Sequence, residues 1–293
     1  MKLSFTTLDV FTTTRYTGNP VAIIEVPGSL STTLTQEQKQ SIASEFNLSE
    51  IVFLHLPEEG TSPSSRKIDI FTSKAEVPFA GHPTIGTTHY LLSLPSSPQN
   101  VTTVHTKAGP MPISLSSGLA SASIPHSYHL HAKTYHSALN GVANPVASIV
   151  NGMSFIYVSL PSLSALSQAT TNLNEVEFGS TYNSEALDEG WKNGLVGTMY
   201  YVFVGEDEEG RKKYRTRMWG SREDPGTGSA SSGLACFLAL KGEGKKFLFE
   251  QGVEMGRRNE IGVEVELKGN GEGIEKVVLS GAAVKVMEGV LEV

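Results

Sequence analysis

The sequence contains a single cysteine, Cys236, among its 293 residues. One thiol cannot form an internal disulfide, and it excludes a metal site built from several thiolates. The chain also lacks long apolar runs. Its first residues, MKLSFTTLDVFTTT, alternate apolar and polar side chains, unlike a signal peptide, and no stretch approaches membrane-spanning length. These absences predict a soluble protein of the reducing cytoplasm with no membrane partner.

Extended basic clusters are absent as well. The net charge is −7, and the longest basic runs, 211–213 and 245–246, are short and lie close to acids. Phosphate-backbone binding needs clustered Lys and Arg, so nucleic acid is not an expected partner. Small anionic substrates stay compatible with this charge, because local backbone dipoles can hold them.

An internal repeat is present. Shifting the sequence by 147 residues aligns IDIFTSKAEVPFAGHPTIGTTHYLL (68–92) with RTRMWGSREDPGTGSASSGLACFLA (215–239) without a gap, and His82 falls on Ser229. Each segment is typical of a short strand, a Gly/Pro turn and a helix that starts near His82 or Ser229. Small residues early in both helices would let a surrounding sheet approach closely. The repeat predicts two lobes with an active site between them.

Strands outnumber helices in the rest of the chain. Thr35 and Gln38 form a capping box that predicts a helix over 36–46. The Ser-rich stretch 121–145, with four of the eight histidines, is interpreted as the connection between the lobes. Because helices and strands do not alternate regularly, the predicted fold class is α+β. Strands are predicted at 4–11, 21–26, 51–56, 154–160, 200–204, 263–267 and 276–279.

The two glycine-rich turns suggest an anion-binding role. Glycines before a helix leave the backbone N–H groups unobstructed, and the helix dipole adds partial positive charge there. Two such turns would bind a substrate carboxylate or stabilise an enolate-like oxyanion. Neither has the spacing of a P-loop or a dinucleotide fingerprint, which disfavours phosphate binding.

Three ionisable residues are candidates for proton transfer, and each has a plainer interpretation. His82 and Asp224 could simply cap or pack against the helices that follow them. Glu50, in FNLSEIVFL, is either solvated at the start of a strand or directed into a cleft, where desolvation would raise its pKa. The pattern leaves these alternatives open. The other histidines form no convincing metal constellation, and the chain has no G-x-S-x-G elbow.

Four motifs carry a family resemblance: DVFTTTRYTGNPVAII (9–24), IASEFNLSEIVFL (42–54), AEVPFAGHPTIG (75–86) and EDPGTGSA (223–230). In this order they resemble the PhzF-like (phenazine biosynthesis-like) family of the diaminopimelate epimerase-like superfamily. The likeness extends to QGVEMGRRNEIGVEVE (251–266) and to the C-terminal segment 277–293.

The resemblance implies a homodimer whose chain forms two similar lobes related by a pseudo-two-fold axis. Each lobe would be a curved, mostly antiparallel sheet around a central helix. The expected lobes are 1–121 and 122–281, with the strand 282–293 a candidate to return to the first, and the active site in the cleft between them.

The resemblance also implies a chemistry: isomerisation by proton transfer on a small carboxylate-bearing, cyclic or unsaturated substrate, with no metal and no organic cofactor. Two cysteines perform the proton transfer in the superfamily's epimerases, and His82 and Ser229 occupy those positions here, so a two-thiol mechanism is excluded. The implied catalytic residues are Glu50, His82 and Asp224, and the implied substrate-binding residues are Asn19, Gly81, Gly228 and Ser229.

The chain departs from the family pattern at three places. Gly226 stands where alanine is expected, a change predicted to have little chemical consequence, and GRRNE (256–260) replaces a GRPS-like turn. Ile51 follows Glu50 where threonine or serine is common, which predicts the loss of one hydrogen bond in that region.

Three alternatives to an isomerase remain. One is a racemase or epimerase with two non-thiol bases, Glu50 with Asp224 or His82, and another is a non-catalytic small-molecule-binding protein. The third is a scaffold that acts through its surface, which would require an extended apolar patch.

Overall fold

The computed structural model describes residues 2–58, 60, 64–93, 100–269 and 271–293. This part of the chain is a sheet-rich α+β structure, which confirms the predicted fold class. None of its helices is long and apolar enough to cross a bilayer. The α-helices are α1 Gln36–Phe46, α2 Gly81–Ser93, α3 Leu163–Ser167, α4 Leu173–Phe178 and α5 Gly228–Leu240.

The strands fall in two compact units. Unit 1 comprises residues 1–125 and 280–293, and unit 2 comprises residues 126–279. The first eight strands are β1 Lys2–Val10, β2 Asn19–Val26, β3 Ile51–His55, β4 Ser65–Phe71, β5 Glu76–Val77, β6 Thr103–Thr106, β7 Gly109–Ser116 and β8 Leu119–Ser123. The next nine are β9 His129–Ser137, β10 Val142–Val150, β11 Met153–Ser159, β12 Leu195–Glu206, β13 Lys212–Trp219, β14 Glu223–Asp224, β15 Lys246–Gln251, β16 Asn259–Leu267 and β17 Ile274–Gly281. The last is β18 Ala283–Glu292, which belongs to unit 1.

The same order of strand pairing occurs in both units. In unit 1, the pairs β18–β1 and β1–β2 are antiparallel, β2–β3 is parallel, β3–β4 and β4–β5 are antiparallel, β4–β6 is parallel, and β6–β7 is antiparallel. In unit 2, the pairs β9–β10 and β10–β11 are antiparallel, β11–β12 is parallel, β12–β13 and β13–β14 are antiparallel, β13–β15 is parallel, and β15–β16 is antiparallel. The sequence repeat thus corresponds to a repeated pattern of strand pairing.

In unit 1, helix α2 is almost wholly buried. Ten of its 13 residues are buried, and it packs against β1, β2, β3, β7, β8 and β18. Gly86 permits this approach, because a Cβ there would lie 2.8 Å from the Val21 side chain. Helix α1 packs on β3 and β4, and its range and its capping box at Thr35 and Gln38 confirm the sequence prediction.

In unit 2, helix α5 has the corresponding environment. Twelve of its 13 residues are buried, and it packs against β10, β11, β15 and β16. A Cβ on Gly233 would lie 2.2 Å from the Tyr157 hydroxyl, so a glycine is needed where the helix meets β11. Burying the apolar sides of both helices supplies much of the driving force for each unit.

The chain passes from unit 1 to unit 2 between residues 125 and 126, inside the stretch 121–145 that was interpreted as the connection. Most of this stretch nevertheless belongs to β8, β9 and β10, where the sequence predicts no strand. Along β9 the buried side chains are His131, Tyr135 and Ser137, which alternate with more exposed neighbours. Polar residues on the buried side of the strand concealed its period of two.

Candidate active site

Glu50 lies between α1 and β3 in unit 1. Helix α1 is followed by its C-cap residue Asn47, which adopts a left-handed conformation with φ 50°, and β3 begins four residues later. Asn tolerates this conformation better than most residues. The strand that follows begins with the fully buried Ile51 and Val52 and anchors the backbone next to Glu50. The Glu50 side chain is 17% exposed, so it is neither free in solvent nor sealed in the core.

The Glu50 carboxylate contacts the ring of His82. Glu50 Oε2 lies 3.5 Å from His82 Nδ1, and the His82 side chain is only 3% exposed. Burial lowers the pKa of His82 to about 3, and a hydrogen bond to the backbone of Pro20 opposes the shift only in part. The imidazole is therefore neutral at physiological pH and can donate one proton and accept another.

Asn19 joins these two residues in the same region of unit 1. It is the first residue of β2, is fully buried, and accepts a hydrogen bond of 3.2 Å from the hydroxyl of Ser49, the neighbour of Glu50. The GNP, NLSE and GHPT motifs, far apart in sequence, thus meet around one carboxylate. The interval between Asn19 and His82 is 63 residues, so this proximity is a product of the fold.

The start of α2 adds backbone donors to this group. The first N–H groups of a helix have no acceptor within the helix. Here they belong to Gly81 and His82, while Pro83 has no N–H to leave unsatisfied. The helix start therefore combines partial positive charge with a neutral imidazole and a carboxylate.

In unit 2, the EDPGTGSA segment forms a turn between β14 and α5. Asp224 pairs with Met218 across β13 and β14, Thr227 is the N-cap residue, and α5 starts at Gly228. Ser229 lies in the first turn of the helix and is 2% exposed. Asp224, Gly228 and Ser229 are therefore close along one short loop and helix start.

A chain of hydrogen bonds orients Asp224. The Thr227 hydroxyl donates to Asp224 Oδ2 at 2.5 Å, and Gln251 Nε2 donates both to the Thr227 hydroxyl at 3.0 Å and to the Asp224 carbonyl at 2.7 Å. Gln251 Oε1 accepts the N–H of Thr227 at 3.0 Å. Gln251 is fully buried at the end of β15, so its three hydrogen bonds attach the turn to this strand.

Asn259 holds the same turn from β16. Its Nδ2 donates to the carbonyls of Pro225 and Arg257, each at 2.6 Å. Its Oδ1 would lie 2.3 Å from a Cβ on Gly226. The expectation that glycine in place of alanine has little chemical consequence stays a prediction, but glycine has a steric role here, because alanine would collide with Asn259, which belongs to the GRRNE segment.

Three residues of these sites were not predicted from the sequence: Ser49, Gln251 and Asn259. Ser49 lay inside the NLSE motif but was not singled out. A buried amide at the end of the apolar strand KFLFEQ was the available signal for Gln251. For Asn259, the signal was the coincidence of two departures from the family pattern, at 226 and at 256–260.

Comparisons with known proteins place these motifs in a family context. The sequence profile described as "Phenazine biosynthesis-like protein" matches residues 8–289. An uncharacterized isomerase from Mesorhizobium japonicum is 30% identical over 301 residues, which span 97% of this chain and 96% of the relative. The trans-2,3-dihydro-3-hydroxyanthranilate isomerase of Pseudomonas aeruginosa is 29% identical over 97% of this chain and 98% of its own.

Solved structures show the same fold. A Bacillus anthracis phenazine biosynthesis protein of the PhzF family superposes with a TM-score of 0.73 at 22% identity, and the alignment covers the full length of both chains.

Proposed function

Because this chain belongs to the phenazine biosynthesis-like (PhzF) family, we propose that it is an isomerase that moves a proton on a small carboxylate-bearing, cyclic or unsaturated substrate. The relatives named as isomerases support the reaction class. The observation that carries the proposal is the 3.5 Å contact between the Glu50 carboxylate and a buried, neutral His82 at the start of α2.

In the proposed reaction, Glu50 removes a proton from a substrate carbon and returns it to another atom of the same substrate face. His82 serves as a hydrogen-bond partner that relays or holds a proton without carrying positive charge. The N–H groups at Gly81 stabilise negative charge that develops on the substrate, as backbone donors at a helix start commonly do. Asn19, held by Ser49, orients a polar substrate group.

The residues of unit 2 have binding roles in this proposal. Asp224 accepts a hydrogen bond from an amino or hydroxyl group of the substrate, since Thr227 and Gln251 fix the direction of its carboxylate. Gly228 and Ser229 bind the substrate carboxylate through N–H groups at the start of α5. The family's two similar lobes, pseudo-two-fold symmetry and homodimer are part of the same proposal. No step requires a metal ion or an organic cofactor.

Deuterium incorporation tests the proposal. Purified protein is incubated in heavy water with a panel of cyclic and unsaturated amino and hydroxy acids, and products are examined by mass spectrometry and NMR. We expect label with the wild type, and a rate about 10²–10⁴-fold lower with Glu50→Gln, which keeps the side-chain shape but removes the base.

The exposed Glu45, on the same helix–strand segment, supplies the matched control Glu45→Gln, which should exchange normally. Normal exchange by Glu50→Gln would show that Glu50 is not the base. The position of the label separates the alternatives: inversion at a labelled centre indicates an epimerase, and a shifted double bond indicates an isomerase. Binding of panel acids without any exchange would favour a non-catalytic binding protein.

A further inference from the structure

A cluster of three potential metal ligands lies in unit 2, outside the proposed active-site residues. His129 and His131 are two apart on β9, so both side chains project from the same side of the strand. Asp188 comes from the segment between α4 and β12. Each of the three offers a ligand atom, and these atoms lie within 4.8 Å of one another.

The distances suit a shared cation. Asp188 Oδ2 lies 2.8 Å from His129 Nε2 and 3.7 Å from His131 Nδ1. Ligands of a tetrahedral Zn²⁺ site, about 2.0–2.1 Å from the metal, are separated from one another by roughly 3.3 Å. One of the two measured separations is shorter than that value and the other is longer, and all three ligand atoms lie within 4.8 Å of one another, so the side chains must adjust to share one ion.

The surroundings set the correct tautomer of His131. Its Nε2 is 2.8 Å from the hydroxyl of Ser148, and its Nδ1 accepts the backbone N–H of Asp188 at 3.5 Å. An acceptor role for Nδ1 assigns the proton to Nε2. The Nδ1 lone pair then faces Asp188, and a metal ion bound there would replace the long hydrogen bond from the Asp188 N–H. Metal-binding histidines typically donate their second ring N–H to such an outer partner.

Backbone hydrogen bonds also hold Asp188 and the neighbouring Trp191 in place. The N–H of Ala132 donates to the Asp188 carboxylate at 3.3 Å and 3.4 Å. The N–H of Trp191 donates to the Asp188 carbonyl at 3.0 Å, and the Trp191 ring stacks on His129 at 4.7 Å. One short turn therefore positions both the carboxylate and a hydrophobic wall beside the imidazoles.

A hydrolase-like use of the same residues does not fit. The hydroxyl of Ser148 contacts His131, and His131 contacts Asp188. This is the order of contacts of a nucleophile, a base and an orienting acid. Ser148 is fully buried and its hydroxyl lies 2.6 Å from that of Ser154, so no substrate carbonyl can reach it. By contrast, the side chains of His129 and Asp188 are 34% and 32% exposed, which leaves access for an ion and its water ligands.

We propose that His129, His131 and Asp188 bind one divalent transition-metal ion such as Zn²⁺, Ni²⁺ or Cu²⁺. Two imidazoles and one carboxylate favour these borderline ions over Mg²⁺ and Ca²⁺, which prefer all-oxygen sites. His131 is buried, but the partial exposure of His129 and Asp188 leaves one or more coordination positions for water.

Calorimetric titration of the untagged full chain with Zn²⁺, after treatment with a chelator, tests the proposal. We expect one ion per chain with the wild type, and at least tenfold weaker binding with His129→Gln and with Asp188→Asn. The Asn side chain retains an acceptor for Ala132, so Asp188→Asn preserves the turn. His136→Gln, an exposed histidine on the same strand, is the matched control and should bind like the wild type.

Tryptophan fluorescence gives a second readout that reports position. Cu²⁺ at this cluster should quench Trp191, and Zn²⁺ should reverse the quenching by competition. The quenching should be lost in Trp191→Phe, which leaves Trp219 as the only other tryptophan. No Zn²⁺ binding by the wild type, or binding that is unchanged in both ligand variants, would overturn the proposal.

Discussion

The contact between Gly226 and Asn259 makes a quantitative prediction about two coupled positions. The φ angle of Gly226 lies outside the left-handed region, so alanine can adopt this backbone conformation. The obstacle is steric, because the added Cβ would lie 2.3 Å from Oδ1 and 2.5 Å from Cγ of Asn259. Asn259 cannot simply rotate away, since its Nδ2 is held by two carbonyls at 2.6 Å.

The expected magnitude follows from these contacts. Forcing one methyl group into a packed site costs about 1–3 kcal/mol of unfolding free energy. Asn259→Ala removes two hydrogen bonds and should cost about 2 kcal/mol by itself, at about 1 kcal/mol for each bond. In a chain that already carries Asn259→Ala, the Cγ and Oδ1 atoms are absent and the collision disappears, so adding Gly226→Ala should then cost less than about 0.5 kcal/mol. The double mutant is therefore more stable than the sum of the single changes predicts, by about 1–3 kcal/mol.

Urea unfolding of the wild type, both single mutants and the double mutant measures this coupling. Gly269→Ala is the matched control: its Cβ would meet no atom within 4 Å, and its φ is not left-handed. We expect the control to leave the unfolding midpoint nearly unchanged. Additive effects of the two substitutions, or an equal cost of Gly226→Ala in both backgrounds, would refute the steric reasoning.

Two further predictions concern ionisable groups. The pKa of His82 is lowered from 6.5 to about 3. Between these two pH values the unfolded chain binds a proton at this residue that the folded chain does not bind. The free energy of unfolding should therefore fall as the pH drops from 6.5 toward 3, by about 1.4 kcal/mol per pH unit. Urea unfolding midpoints at several pH values measure this pH dependence, which should be weaker in His82→Gln. Part of the remaining dependence comes from His131, because burial lowers the pKa of that residue to about 4. An identical pH dependence in the variant would contradict the assignment to His82. Asp224→Asn, which retains an acceptor for Thr227, should lower kcat/KM about 10–100-fold through loss of a hydrogen bond to a charged group; a loss as large as that of Glu50→Gln would instead make Asp224 a second base and favour an epimerase.

Much of the fold could be read from local signals. The capping box at Thr35 and Gln38 specifies the start of α1 through two reciprocal hydrogen bonds between neighbours in sequence. The repeat places the starts of α2 and α5 at Gly81 and Gly228, which are 147 residues apart, as the alignment required. Signals of this kind depend on residues close in sequence, which a single sequence displays directly.

The remaining features depend on partners far apart in the chain. The strand β9 was missed because its buried side includes His131, whose polar ring is satisfied by Ser148 from the neighbouring strand. Asn259 supports Pro225 across 34 residues, and no local pattern indicates that contact. Buried polar residues with partners far away in the sequence therefore explain why no strands were predicted within 121–145. They also explain why the contact of Asn259 with the second turn was not predicted.

The repeat itself bears on the choice between an isomerase and a two-base epimerase. Symmetric bases are expected at equivalent positions of the two copies, but His82 corresponds to Ser229, which is a poor base without a partner that removes its proton. Ile51 lies opposite Phe71 in unit 1 and Met199 lies opposite Met218 in unit 2, so Glu50 corresponds to Thr198, and the offset of 147 brings Asp224 back to Val77. Neither Glu50 nor Asp224 therefore has a carboxylate at the corresponding position of the other copy. This asymmetry supports a single base, Glu50, with Asp224 in a binding role, because two equivalent bases would require ionisable groups at matched positions.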